Sequence, residues 1–304
     1  MKDLRIVFMG TPEFAVASLA ALVDNGFNII GVITAPDKPK GRGRQLMTSA
    51  VKNYALEKNL PILQPTNLKS ETFLNELEEL KADLQIVVAF RMLPELVWNM
   101  PPLGTINLHG SLLPQYRGAA PINWALINGE KETGVTTFFL QHEIDTGHII
   151  LQEKEPISAN DNVGTLYERL MLLGAKTVVK TVKLIQDKKA ETIPQSESNR
   201  LKAAPKLFKE TCEIDWNQPA AQVYNFIRGL SPYPAAWSIL NNNNFKIFEA
   251  EIDEKNIEIG KIDSDNKSYI KIGCAKGSLS IKALQLQGKK RMRTEDFLRG
   301  NNII

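Results

Sequence analysis

Ile6-Val7-Phe8-Met9-Gly10-Thr11-Pro12-Glu13-Phe14 decides the fold class. Four consecutive apolar residues suit a strand buried on both faces of a parallel sheet. Gly10 ends the run, Thr11 is placed to cap a helix, and Pro12 suits its first position. Phe14, Ala17, Ser18 and Ala21-Leu22 continue at helical spacing until Gly26. Ile29-Ile30-Gly31-Val32-Ile33 then reads as a second strand. This strand–helix–strand unit repeats downstream. Helices are expected at about 49–58 and 70–80, with strands at 61–63, 84–89, 104–109 and 134–140. The expected fold is a doubly wound, Rossmann-like α/β domain.

Residues 187–209 break the pattern, with six Lys/Arg against two Glu and one Asp and no sustained apolar period. After a short helix at 220–228, alternating stretches follow at 236–240, 245–250, 257–262, 269–272 and 279–284. Asn241 to Asn244 reads as a hairpin turn. Short strands at such spacing predict a small OB-like β-barrel. The resulting division is 1–187, a basic linker over 188–207, and a C-terminal domain over 208–304.

The 304 residues are 43% hydrophobic and 23% charged, with a formal net charge of +3. That balance excludes a wholesale polycation but leaves room for a local nucleic-acid surface. Cys212 and Cys274 are too few for a disulfide framework or a Cys-rich zinc site. No apolar run approaches a membrane span, and the first residues lack a signal-peptide pattern. A cytoplasmic monomer is expected.

Gly10-Thr11-Pro12 stands where a dinucleotide fold places G-x-G-x-x-G. Two glycines are missing and Pro12 removes a backbone donor, which argues against NAD or FAD. Lys40-Gly41-Arg42-Gly43-Arg44 lacks P-loop spacing. It belongs instead to a Pro/Gly-rich basic loop beginning at about Ala35.

Asn107 and His109 lie two apart on an expected strand, so their side chains share a face. Gly110 opens a loop at that strand's C-terminal end, where open α/β sheets bind ligands. The plainer alternative is a His–Asn pair capping a sheet edge. Gln141-His142-Glu143-Ile144-Asp145-Thr146-Gly147-His148 follows another strand and also reads as an ordinary polar turn. A zinc site from His109, His142 and His148 has no standard ligand spacing and no cysteine, so no metal is expected.

Phe8 to Phe14, Asn107-Leu108-His109-Gly110-Ser111-Leu112-Leu113-Pro114, Tyr116 to Ile122 and Asp145-Thr146-Gly147 together resemble the methionyl-tRNA formyltransferase family. Lys206 to Trp216, Ile227 to Pro232 and Gly288 to Met292 extend the resemblance over essentially the whole chain. Two positions depart from the usual pattern: Gln141-His142-Glu143-Ile144 replaces an acidic, Gly-containing stretch, and His148 replaces an Asp. The resemblance implies transfer of a formyl group from 10-formyltetrahydrofolate to the α-amine of methionyl initiator tRNA. It implies catalytic Asn107, His109 and Asp145. Folate contacts would come from Phe90, Arg91, Met92, Leu93, Ser111, Leu112, Leu113, Pro114, Gly118 and Ile144. Lys38, Lys40, Arg42, Arg44, Lys206, Lys289, Lys290 and Arg291 would meet tRNA.

Formyl transfer to an amine passes through a tetrahedral species with negative charge on the formyl oxygen. Asn107 and His109 are suited to donate hydrogen bonds to that oxygen. Asp145 would orient His109 and relay protons through water. Two rivals remain open: a formyltransferase for an amino-sugar nucleotide, and an RNA-binding module with an inactive catalytic half. The basic 38–44 loop argues against the first, and the intact Asn–His–Asp set against the second.

Overall fold

The computed structural model describes residues 3–40, 45–198 and 200–303. The side chains of Lys40 and Gln45 are outside the description. The first part of the chain forms β1 (Arg5–Gly10), α1 (Glu13–Asp24), β2 (Asn28–Ile33), β3 (Lys38–Lys40), β4 (Gln45–Met47), α2 (Ala50–Glu57), β5 (Ile62–Leu63) and α3 (Glu71–Glu79). Then come β6 (Leu84–Val88), α4 (Glu95–Trp98), β7 (Thr105–His109), β8 (Arg117–Gly118), α5 (Pro121–Ile127), β9 (Glu132–Phe139), β10 (Ile149–Pro156) and α6 (Val163–Gln186). The last part contains β11 (Ala203–Ala204), α7 (Ala220–Leu230), β12 (Ala236–Leu240), β13 (Asn243–Asp253), β14 (Ile262–Ser264), β15 (Ile270–Gly273), β16 (Ser278–Leu286), β17 (Met292–Arg293) and α8 (Thr294–Leu298).

The chain divides into two compact units. The first comprises residues 1–117, 134–155 and 167–202; the second comprises 118–133, 156–166 and 203–304. The first is built on a seven-stranded sheet in the order β10-β9-β7-β6-β1-β2-β5. Strands β1, β2, β5, β6 and β7 run parallel, and β9 is antiparallel to β7. Ile6, Val7, Phe8 and Met9 are fully buried, as a central parallel strand requires. The apolar side chains of α1, including Phe14, Leu19 and Leu22, are buried as well. Pro12 takes the cap position, so α1 begins one residue later than the sequence suggests. Ser49 and Ser70 cap α2 and α3, each accepting a backbone N–H of the first turn.

Helix α6 lies behind β7. A Cβ on Gly174 would come within 2.7 Å of Leu108, so the glycine permits close approach of helix to strand. The buried hydroxyls of Thr137 and Thr181 meet at 2.7 Å and satisfy each other beside this contact.

In the second unit the barrel strands run β12-β13-β16-β15-β14, all antiparallel, with β17 added to β16. This is an OB-like antiparallel arrangement. Its core includes Val223, Ile227, Phe245, Ile247, Ile272, Ile281 and Phe297. Helix α7 crosses α5 closely: a Cβ on Gly229 would meet Ile127 Cγ1 at 2.7 Å, and Asn123 Nδ2 donates to the Gly229 carbonyl at 2.8 Å. The adjacent Arg228 is buried and donates to the Ser158 and Asp161 carbonyls at 3.1 and 3.2 Å.

The strand expected over 257–262 is instead Ile262–Ser264; Ile259 makes only an isolated bridge to Gly273. The basic loop contains the short β3–β4 pairing at its base, while Arg42 and Arg44, between those strands, lie outside the described residues. Asp37 anchors that base, accepting from Lys52 Nζ at 2.5 Å and Gln64 Nε2 at 2.9 Å. These bonds, Gln64's first, hold its carboxyl below the usual carboxylate range.

Candidate active site

Strand β7 sits between β6 and β9 and carries the key pair. Asn107 aligns with Val87 on one side and Phe138 on the other. Ile106 and Leu108 point to the opposite face and are buried. Asn107 is half-buried, and its carboxamide has no protein partner among the described residues. A partly desolvated amide without a partner is well disposed to bind something else.

His109 is almost fully buried. Its Nε2 lies 2.8 Å from the Tyr116 carbonyl, which can only accept, so Nε2 carries the proton. Its Nδ1 faces Asp145 Oδ2 at 3.7 Å, with both side chains largely shielded from water. The imidazole is therefore fixed at one nitrogen by backbone and presents the other to a carboxylate. Asn107 is the amide left open toward a ligand, while His109 has one N–H already engaged.

The loop from Ser111 to Tyr116 is held by Thr136 and Gln152, which the sequence did not mark, and by Ser111 itself. Thr136 Oγ1 donates to the Ser111 carbonyl at 2.6 Å and accepts from the Leu113 amide at 3.1 Å. Gln152 Nε2 donates to the Leu113 carbonyl at 2.7 Å. Ser111 Oγ spans the turn to the Gln115 carbonyl at 2.6 Å. Ser111 and Leu113 are buried, and Leu112 and Pro114 half-buried. Ser111 thus serves the loop's own conformation.

Asp145 adopts φ +57°, a left-handed conformation that Asp tolerates better than most residues. Gly147 is required by space. An added Cβ would lie 1.6 Å from the Phe139 carbonyl oxygen.

Phe90 and Leu93 pack onto the apolar cluster around Val87 and Val97, whereas Met92 is 73% exposed. Arg91 is pinned, donating to the Thr66 carbonyl at 3.0 Å and to the Pro65 carbonyl, with its guanidinium over the Phe90 ring. Ile144 is 58% exposed. Gly118 belongs to the second compact unit. His142 contacts Glu95 at 3.4 Å and the Trp98 ring, and His148 is exposed. Among the described residues, no three His, Cys, Asp or Glu side chains gather where a metal ion would sit.

Of the basic positions, Lys38, Lys206, Lys289 and Lys290 are exposed. Arg291 is engaged differently: it pairs with Glu249 and lies 4.6 Å from the Phe248 ring centre. To Lys209, already part of the basic 187–209 stretch, the barrel's outer face adds Trp237 and Lys246, which the sequence did not mark. Lys209 Nζ stands over the Trp237 ring, and Trp237 Nε1 donates to the Lys209 carbonyl at 2.7 Å. Trp237 pairs across to Lys246, and Lys246 to Gln285, which reaches the Lys289 carbonyl at 2.7 Å. Trp237, Lys246 and Gln285 therefore form a strip on one face across three strands, with the Lys209 ammonium over the indole. Its signal was the alternation of β12 and β13, which places Trp237 and Lys246 outward.

Two family models match the chain. One is described as formyl transferase and covers residues 4–182; the other, formyl transferase C-terminal domain, covers 206–302. A methionyl-tRNA formyltransferase of Parabacteroides distasonis is 59% identical over 311 residues, spanning 98% of this chain and 96% of its own. One of Flavobacterium johnsoniae is 54% identical, spanning 99% and 97%. Among solved structures, an N-formyltransferase of Helicobacter canadensis in complex with folinic acid and dTDP-3-aminofucose matches with TM-score 0.70 at 21% identity, covering 95% of this chain and all of its own. HypX of Aquifex aeolicus with tetrahydrofolic acid matches with TM-score 0.67 at 18% identity; the chain covers 47% of its length. At these identities the structural matches speak to fold alone.

Proposed function

Since the chain belongs to the formyl transferase family, we propose that it transfers the formyl group of 10-formyltetrahydrofolate to the α-amino group of methionyl initiator tRNA. The observation that carries the chemistry is the unpartnered Asn107 amide beside the His109–Asp145 pair, at the C-terminal end of a central strand. The choice of acceptor rests on relatives more than half identical over nearly their full length.

In the reaction the methionyl nitrogen bonds to the formyl carbon, and the bond from that carbon to the folate N10 breaks. Asn107 donates to the formyl oxygen as negative charge develops there. Loss of one such donor costs about 3–4 kcal/mol of barrier. The amine loses a proton and N10 gains one. His109 Nδ1 and the Asp145 carboxylate form the exchange point for those protons, while the Tyr116 carbonyl keeps the ring from rotating. No covalent nucleophile is needed.

The apolar side chains of Met92 and Ile144, with the backbone from Phe90 to Leu93 and from Ser111 to Pro114, provide walls for the pterin. Lys38, Lys40, Arg42 and Arg44 address the acceptor end of the tRNA. Lys206, Lys209, Trp237, Lys246, Lys289, Lys290 and Arg291 hold its backbone, lysines meeting phosphates and the indole offering a stacking face. Functionally, 1–187 is the catalytic half, 188–207 the connector and 208–304 the RNA-holding half. The enzyme acts as a cytoplasmic monomer, and among the described residues no helix is long and apolar enough to cross a membrane.

One experiment tests the reading. The enzyme is incubated with 10-formyltetrahydrofolate and either methionyl-tRNA or a dTDP-amino sugar. Formylmethionyl-tRNA is the expected product; formylation of the sugar alone refutes the assignment.

A further inference from the structure

Gln195 lies in the polar connector beyond α6, just past an antiparallel bridge in which Ile193 and Ile149 exchange hydrogen bonds of 2.9 and 2.8 Å. Its side chain reaches back to the loop carrying Asp145. Nε2 donates to the Asp145 and Gly147 carbonyls, both at 2.8 Å. Oε1 accepts from Arg117 Nε at 3.0 Å and Nη2 at 2.6 Å. An amide has two N–H donors and two acceptor lone pairs, and all four are used. A flipped amide would oppose NH2 to a guanidinium and oxygen to two carbonyls, so the partners fix its orientation.

These contacts close a circuit. Arg117 directly follows Tyr116, whose carbonyl holds His109 Nε2. Gln195 binds the backbone of Asp145, whose carboxylate faces His109 Nδ1. One clamp therefore grips both sides of the His109–Asp145 pair from behind. It also explains how Asp145 persists at φ +57°: the turn is bridged at its first and third carbonyls by a single amide.

We propose that Gln195 and Arg117 are positioning residues that set the separation of Asp145 from His109 without touching substrate. The inference rests on the formyl-transfer reading above, in which that pair handles the protons. Without the clamp the Asp145 loop relaxes, and a displacement of about 1 Å at a catalytic group can cost about 100-fold in rate.

The test is steady-state kinetics of the full chain with 10-formyltetrahydrofolate and methionyl-tRNA, comparing wild type with Gln195→Ala, Gln195→Glu and Arg117→Lys. Gln195→Glu can still accept from Arg117 but sets a carboxylate against two carbonyls. We expect kcat to fall about 10- to 100-fold in both Gln195 variants, with KM for each substrate within about threefold. Arg117→Lys, which keeps one cationic donor, should fall less and in the same parameter. It also supplies the measurement if the Gln195 variants do not fold. A residue that merely supports the fold would lower melting temperature without this split. An active wild type whose folded variants keep kcat within threefold overturns the clamp alone. An inactive wild type overturns the formyl-transfer reading and the clamp with it.

Discussion

Gly147→Ala is the substitution whose consequence the structure specifies most closely. The new Cβ would lie 1.6 Å from the Phe139 carbonyl oxygen, 2.8 Å from its carbon and 3.1 Å from Phe138 Cδ2, where ordinary contact begins at 3.4 Å. About 1.8 Å must open, and something has to move. Phe139 cannot yield easily: it is the last residue of β9 and is registered against Ile106 of β7. The Asp145–Gly147 turn yields instead, breaking the bond from Gln195 to the Gly147 carbonyl and shifting Asp145, two residues away. Overpacking costs about 1–3 kcal/mol, and the lost hydrogen bond about 1 kcal/mol more. Displacing Asp145 by about 1 Å should lower kcat about 100-fold. Gly26→Ala is the control. Its φ of +74° makes alanine strained, by about 1–2 kcal/mol, but its Cβ meets nothing within 4 Å and it lies outside the site. Urea denaturation and kcat would be measured for both variants. We expect both to lose stability and only Gly147→Ala to lose turnover. A folded Gly147→Ala enzyme with kcat within threefold of wild type refutes the reasoning.

Asn107→Ala should retain the fold and lose about 100- to 1,000-fold in kcat; near-normal turnover would remove Asn107 from oxyanion binding. Arg42→Ala should reduce kcat/KM for methionyl-tRNA, most at low salt and less as salt rises, because one phosphate contact fewer makes the salt dependence shallower, while folate affinity is unchanged; parallel loss of folate binding would place that residue elsewhere. Lys246→Glu and Trp237→Ala should weaken tRNA binding measured by filter retention, the former with a shallower salt dependence than wild type, and unaltered affinity in both would clear the strip of this role. Burial pushes the Cys274 thiol up to about 11 and raises that of Cys212. The thiolate form is therefore scarce at pH 8, and a disulfide reagent should label neither cysteine until denaturant is added; prompt labelling of the folded protein would contradict this burial.

The architecture was legible where one element carried its whole signal. Ile6 to Met9 could only be a buried strand, and the alternation around Asn107 and His109 placed both on one face. Helix α6 and strand β10 went unread, although Leu166, Leu170, Val178 and Val182 are fully buried. In β10 the half-buried positions after Leu151 are Glu153 and Glu155, alternating with exposed Gln152 and Lys154, so its two-residue period carries no apolar signal. Asp145 was legible through its motif and not through chemistry, since Asp-Thr-Gly is also a common turn. Gln195 carried no signal at all: it sits in a polar connector, and its partners lie 48 to 78 residues away. Arg291's pairing with Glu249 was hidden for the same physical reason. Its charge run looked solvated, but the register of β13, β16 and β17 brings Glu249 beside it, and register is set by tertiary packing.

The interleaving of the compact units bears on how members of this family can exchange parts. Segments 118–133 and 156–166 precede the basic connector, yet they are packed with the chain that follows it. A hybrid joined near residue 207 would inherit a foreign α7 beneath its own α5. The Gly229–Ile127 crossing would then be mismatched, and the carbonyls of Ser158 and Asp161 would face whatever replaced Arg228. The unit of heredity here is discontinuous: a workable graft of the C-terminal half carries two upstream segments with it. Lineages that altered this half by recombination therefore had either to take all three pieces from one donor or to rebuild the α5–α7 crossing one residue at a time.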